Sequence, residues 1–275
     1  ERPELLCFTA PETVAAIHRR YIAAGSQVIY ANTFQANGHK LEGTGYTPAQ
    51  VVTRALEVAR DAAAGTDTLV AFDCGPIGTL LEPLGTLRFD DAYDLYREMV
   101  AAAQAAGADL IVFETFTDLY DMKAAVLAAK EHTSLPILCT MSFEENQRTF
   151  TGCTVPAMAL TLEGLGVALG FNCYLGPAEL LSLAQELVQW TSLPVVVKPN
   201  AGLPDPATNQ YTITPAEFAR QLVPFTQLGV RILGGCCGTS PEFIQALRAE
   251  LGGLPPVMPE RVLRHGVCCP AQVAE

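Results

Sequence analysis

The chain has 275 residues, 49% hydrophobic, 17% charged and 8% aromatic, enough to bury a substantial core and within the size of one large α/β barrel. The 29 acidic and 17 basic residues leave a formal charge of −12, which argues against general affinity for nucleic acid or an anionic membrane, because phosphate binding needs clustered Lys and Arg. No run of about 18 apolar residues marks a transmembrane helix, and Glu1-Arg2-Pro3-Glu4-Leu5 has no basic stretch leading into an apolar one, so no secretory signal is visible.

Short apolar runs alternate with longer Ala-rich amphipathic segments. A helix is predicted over Pro11–Ala24, closed by Gly25, then the strand Gln27–Tyr30 ending in Ala31-Asn32-Thr33-Phe34. Helix Pro48–Ala64 leads to strand Thr68–Phe72 and Asp73-Cys74-Gly75-Pro76. Helix Asp90–Ala106, closed by Gly107, leads to strand Leu110–Phe113 and Glu114-Thr115-Phe116. Helix Asp118–Lys130 and strands Pro136–Met141 and Val167–Asn172 follow, the last ending in Asn172-Cys173-Tyr174. Helix Pro177–Trp190 precedes strand Val195–Lys198 and Pro199-Asn200-Ala201-Gly202. Helix Pro215–Leu228, closed by Gly229, precedes strand Val230–Leu233 and Gly234-Gly235-Cys236-Cys237-Gly238-Thr239, before helix Pro241–Leu251. Thr214-Pro215-Ala216-Glu217 has the form of a capping box, and Ser240 is an expected N-cap.

The near-continuous apolar strands suit a parallel sheet covered on both faces. A closed (β/α)8 TIM barrel needs eight strands and seven are visible, so the first is expected upstream of residue 1. The rival is an open doubly wound sheet. One domain is expected over residues 1–275, with no role assigned to the tail 256–275 or its apolar stretch Gly266-Val267-Cys268-Cys269.

Nine cysteines, an odd number, in a chain of this size point to reduced thiols in the cytoplasm. Either architecture places its site at the carboxyl ends of the strands, where Cys173, Cys236 and Cys237 can meet. Three thiolates are a soft set that suits zinc and leaves a fourth tetrahedral position open. Such an ion binds an incoming thiol as thiolate, a nucleophile for alkyl transfer. Cys74 and the Cys268-Cys269 pair compete as ligands, and any strand-end cysteine can instead be a small core residue. Glu114 can bind the ammonium of an amino acid or serve as a structural carboxylate. Asn32, Asn172 and Asn200 can anchor substrate or tie loops together. The glycine-rich turn 234–239 can also cradle a phosphate, though no Lys or Arg follows it closely.

The chain resembles the homocysteine S-methyltransferase family, most of all the homocysteine-binding module of its cobalamin-dependent methionine-forming branch. The likeness is carried by Asn32-Thr33-Phe34-Gln35-Ala36-Asn37, Phe113-Glu114-Thr115-Phe116, Lys123-Ala124-Ala125-Val126, Met141-Ser142-Phe143 with Thr151-Gly152, Asn172-Cys173, Pro199-Asn200-Ala201-Gly202 and Gly234-Gly235-Cys236-Cys237-Gly238-Thr239. It runs from about residue 5 to residue 255. The resemblance implies a (β/α)8 barrel, zinc on Cys173, Cys236 and Cys237, Glu114 on the substrate's amino group, and homocysteine sulfur at the fourth zinc position. The family's Asp-Gly-Ala-Met-Gly-Thr-like first turn has no match here, in keeping with the seven strands. The donor it implies is methylcobalamin on a partner protein or module, since no corrinoid-binding Asp-x-His-x-x-Gly is present. S-methylmethionine and betaine are the alternative donors. Two other readings remain: a phosphate-binding lyase or isomerase barrel, and a non-catalytic module that only loads homocysteine.

Overall fold

The computed structural model describes residues 2–166, 168–205, 207–255, 257 and 264–274. Two compact units divide it, Glu1–Phe116 with Tyr120–Leu138, and Thr117–Leu119 with Cys139–Glu275.

In the first unit the described chain starts with a 3-10 turn, Pro3–Leu5, and one helical turn, α1 (Leu6–Thr9). Helix α2 (Pro11–Ala23) leads to β1 (Val28–Tyr30), and the short α3 (Gly38–Leu41) precedes α4 (Pro48–Ala63). Strand β2 (Leu69–Cys74), α5 (Phe89–Ala105), β3 (Leu110–Phe116), α6 (Leu119–His132) and β4 (Ile137–Met141) follow, α6 starting and β4 finishing in the second unit. Gly25 and Gly107 end their helices with φ of 100° and 78°, a conformation only glycine adopts cheaply. The full capping box lies at Thr47 and Gln50, each side chain accepting the other's backbone N–H. Helix α4 buries Val51, Val52, Ala55, Leu56, Ala59, Ala62 and Ala63, the spacing of one helical face, and packs between α2 and α5.

The second unit adds α7 (Val155–Leu162), β5 (Ala168–Asn172), α8 (Pro177–Leu187), β6 (Val195–Lys198), α9 (Pro215–Gln227), β7 (Ile232–Leu233), α10 (Pro241–Leu251) and the antiparallel pair β8 (Val267–Cys269) and β9 (Gln272–Ala274). Helix α7 is invisible to periodicity. Its residues Val155–Ala159 and Leu162 are buried, so it has almost no polar face to set against an apolar one. The expected first residue of the fifth strand, Val167, and tail residues 256, 258–263 and 275 lie outside the described residues. Thr214 caps α9 by accepting the Glu217 N–H at 3.3 Å. Ser240 holds the N-cap position of α10, but its hydroxyl bonds the Glu242 carboxylate instead of the helix backbone.

The long sheet has seven strands hydrogen-bonded in the order β1-β2-β3-β4-β5-β6-β7. The pairs β1–β2, β2–β3, β5–β6 and β6–β7 are parallel. Spatial order follows chain order without reversal, which excludes the doubly wound alternative, whose order turns back at a switch point. The fold is α/β, of the (β/α) barrel type. Strands β4, β5 and β6 are buried at every position, the physical origin of their unbroken apolar runs. No helix among the described residues is long and apolar enough to cross a membrane.

His18 on α2 is buried, and its Nε2 has no hydrogen-bond partner. Burial lowers its pKa to about 4, against roughly 6.5 in an unfolded chain. Between those values the unfolded state binds the extra proton, so stability is complete above pH ~6.5 and declines as pH falls toward 4. The loss at pH 5 is about 2 kcal/mol relative to neutrality. His18→Leu is expected to flatten this acid slope in urea midpoints recorded at pH 7 and pH 5. An unchanged slope would place the acid sensitivity elsewhere.

Candidate metal centre

The second unit builds its centre from two strand ends. Strand β5 aligns Asn172 with Lys198 of β6, and Val197 of β6 aligns with Leu233 of β7. This parallel register puts Cys173 one step beyond β5 and Cys236 just beyond the end of β7. The Cys173 N–H reaches Lys198 O at 3.2 Å, and the Cys236 N–H reaches Pro199 O at 2.8 Å. Cys173 and Tyr174 both take left-handed backbone, φ 62° and 57°. Non-glycine residues pay for that conformation, and such strain gathers at functional sites.

The glycines of the last motif have specific neighbours. A Cβ on Gly235 would lie 2.5 Å from Thr239 Oγ1. Thr239 closes the turn by donating both its hydroxyl and its N–H to Cys236 O, at 2.7 and 3.1 Å.

The three sulfurs of Cys173, Cys236 and Cys237 lie within 4.8 Å of one another, and Cys173 and Cys237 are 3.5 Å apart. Tetrahedral zinc with Zn–S bonds of about 2.3 Å separates its sulfurs by about 3.8 Å. The trio therefore fits the ion in spacing as well as in donor softness. It is the one group of three such ligands among the described residues.

Protons on the trio are unevenly held. The Cys173 thiol is lowered, chiefly because Cys236 hydrogen-bonds to its thiolate, with burial opposing. Cys237 is raised, first by its hydrogen bond to Cys236, then by burial and the neighbouring charge. One thiolate is welcome here and a second is not, unless a cation joins them.

The surrounding polar groups are tied. Asn172 Nδ2 donates to Cys236 Sγ at 3.8 Å, and Asn172 Oδ1 accepts from Thr140 at 2.8 Å. Ser142 donates to Asn172 O at 2.8 Å. Asn200 Oδ1 accepts the Cys237 N–H at 3.1 Å. With Cys236, Cys237 and Thr239 already donating their N–H groups within the protein, the turn offers little to a phosphate.

Among the described residues, the rival ligands are not members of this group. Cys74 falls inside β2, in the first unit, where burial and then the Asp73 and Asp121 carboxylates push its thiol well up. Cys268 and Cys269 are exposed on β8. Cys268 Sγ lies 3.7 Å from Thr161 Oγ1 and 3.9 Å from Ala157 O of α7. Also in the first unit, β3 continues to Phe116, so half-buried Glu114 sits inside the strand, before Thr115 with φ 64°. Asn32 Nδ2 donates to Pro3 O at 2.7 Å. Thr33 Oγ1 joins the ends of β1 and β2 by donating to Asp73 O at 2.6 Å and accepting the Asp73 N–H at 3.1 Å.

Fold and centre together define a class: a parallel (β/α) protein of the barrel type whose strand ends present three thiols arranged for one soft metal ion. The chain belongs to the homocysteine S-methyltransferase family, whose sequence profile matches residues 2–251. It is 33% identical over 266 residues to the methionine synthase of Mycobacterium leprae (strain TN), which covers 90% of this chain. It is 32% identical over 278 residues to that of Mycobacterium tuberculosis (strain ATCC 25618 / H37Rv), covering 95% of this chain. The chain spans only 22% and 23% of the length of those two relatives. Among solved structures it is similar to the metallated form of the homocysteine methyltransferase MmuM from Escherichia coli, with a TM-score of 0.77 and 25% identity over 89% of this chain and 86% of that one. The apo form of the same protein matches with a TM-score of 0.72 over 91% and 89% of the two chains.

Proposed function

We propose that this chain transfers a methyl group to the thiol of homocysteine, giving methionine, with zinc held by Cys173, Cys236 and Cys237. The observation that carries the reading is the convergence of those three sulfurs in a chain of this family. Zinc bound there supplies a position where a substrate thiol is held as thiolate at neutral pH, a nucleophile for alkyl transfer. The three cysteines neutralise most of the ion's charge and so leave an incoming sulfur electron-rich. The Asn172 amide, held by Thr140, orients Cys236, and Asn200 holds the turn that carries Cys237. From the family resemblance, Glu114 is assigned the substrate ammonium; Asn32, Asn172 and Asn200, the other candidates for its polar groups, each already tie neighbouring protein groups. Nine free thiols suit a reducing cytoplasm.

The donor assigned is a methylcorrinoid carried by another protein or module. Its support is the identity to two methionine synthases, whose further length leaves room for such a carrier. The test offers homocysteine with a methylcorrinoid protein, with S-methylmethionine and with betaine, and follows methionine formation. Turnover with the corrinoid donor is expected. Turnover with either small donor and none with the corrinoid would overturn the donor assignment. Binding of zinc and homocysteine without turnover from any donor would make the chain a loading module.

A further inference from the structure

Lys198 is the last residue of β6, at the carboxyl end of the strand, where a barrel builds its site. It is 5% exposed, and among the described residues it is the one lysine or arginine that is buried. Lysine is almost never fully buried unless an anion meets its ammonium. Strand pairing fixes where it lies. On one side it aligns with Asn172 of β5. On the other, the Gly234 N–H reaches Val197 O at 3.2 Å, which sets Gly234 beside Lys198 one step past β7. Residues level with one another across a parallel sheet share a face. The stem of Lys198 lies over Gly234, where a Cβ would be 3.4 Å from Lys198 Cγ and 3.7 Å from Cδ. From the same row Asn172 extends its Nδ2 to Cys236 Sγ at 3.8 Å. The Cys173 N–H donates to Lys198 O at 3.2 Å. The buried lysine therefore stands in one row with Asn172 and Gly234, on the face from which Asn172 touches the sulfurs.

We propose that Lys198 sets the substrate class of the three-thiolate centre: its ammonium pairs with the carboxylate of an amino-acid thiol whose sulfur takes the fourth metal position. The inference rests on the zinc and homocysteine reading above. Two methylene groups separate the homocysteine thiol from the carbon that bears its carboxylate, so protein groups that meet both must lie close together. Three cysteine thiolates and a substrate thiolate outweigh the charge of one zinc ion. A carboxylate arriving beside them is repelled unless a cation faces it. Asn172 and Asn200 carry no charge and are already tied to the cysteines. A buried ammonium meets that need through a charge-assisted contact, and it selects thiols that carry an acid group over those that do not.

The test titrates the full zinc-loaded chain, by calorimetry, with homocysteine and with the aminopropanethiol that is homocysteine without its carboxylate. Zinc affinity is measured separately by chelator competition. Wild type is expected to bind homocysteine roughly 10- to 100-fold more tightly than the aminothiol, the range for a hydrogen bond to a charged group. Lys198→Met keeps an unbranched stem over Gly234 and removes the charge. It is expected to lose that preference, with homocysteine weakened and both the aminothiol and zinc unchanged. Lys198→Arg restores a cation and is expected to regain part of the preference. Equal affinity of wild type for the two thiols would overturn the proposal even if neither variant folds. A folded Lys198→Met that keeps the preference would overturn it as well. So would one that weakens both thiols and zinc alike, which would make Lys198 a counter-charge of the metal centre. A wild-type chain that takes up no zinc would instead overturn the three-thiolate reading on which the proposal stands.

Discussion

Cys236→Ala is expected to reduce zinc from about one per chain to a small fraction, and methyl transfer to homocysteine with it. Cys236 lies within 4.8 Å of both other sulfurs, and Asn172 Nδ2 donates to its sulfur at 3.8 Å. Deleting it leaves two thiols beside a void, and the loss should exceed the roughly 100-fold seen when only an outer partner is removed. Metal analysis of wild type and variant, purified without added metal, is the measurement. Cys236→Ser sharpens it, because a hydroxyl is a harder donor that stays protonated where a thiol ionises. Wild-type zinc content in either variant would place the metal elsewhere and remove the basis of the mechanism.

The second large effect falls on stability. Gly170 is the middle residue of β5 and aligns with Val196 of β6. A Cβ there would lie 1.7 Å from the Val196 carbonyl oxygen and 2.6 Å from its carbon. A side chain in the way could turn aside, but a backbone carbonyl in a sheet cannot. Overpacking of a core usually costs 1–3 kcal/mol, and Gly170→Ala should cost more than about 3 kcal/mol because relief requires the two strands to part. Urea unfolding gives the number, and zinc retention should fall in parallel, since Cys173 follows directly on β5. A variant with an unchanged midpoint would show that β5 and β6 approach less closely than this register requires.

Much of the site was legible before any fold was seen. Periodicity and proline starts located the helices on either side of each strand end, and the glycines of Gly234-Gly235-Cys236-Cys237-Gly238 marked a turn where two adjacent cysteines could be presented. Elsewhere strand ends were drawn too short. Asp73, Cys74 and Glu114 read as loop residues because polar or small side chains break an apolar run, yet parallel pairing carries β2 to Cys74 and β3 to Phe116. Helix α7 was missed for the opposite reason, an apolar surface with no period to detect.

The alternation of strand and helix, the caps that end several helices, the soft donor type and the family are all written in the local sequence. Those features depend on interactions within a few residues, or on residue chemistry that needs no partner. The choice between a singly wound and a doubly wound sheet came from strand pairing, whose order runs β1 to β7 without reversal. Strand pairing also closed 64 residues of chain to a 3.5 Å gap between Cys173 and Cys237. That distance belongs to neither local segment, because it is set by the hydrogen-bond register of β5, β6 and β7.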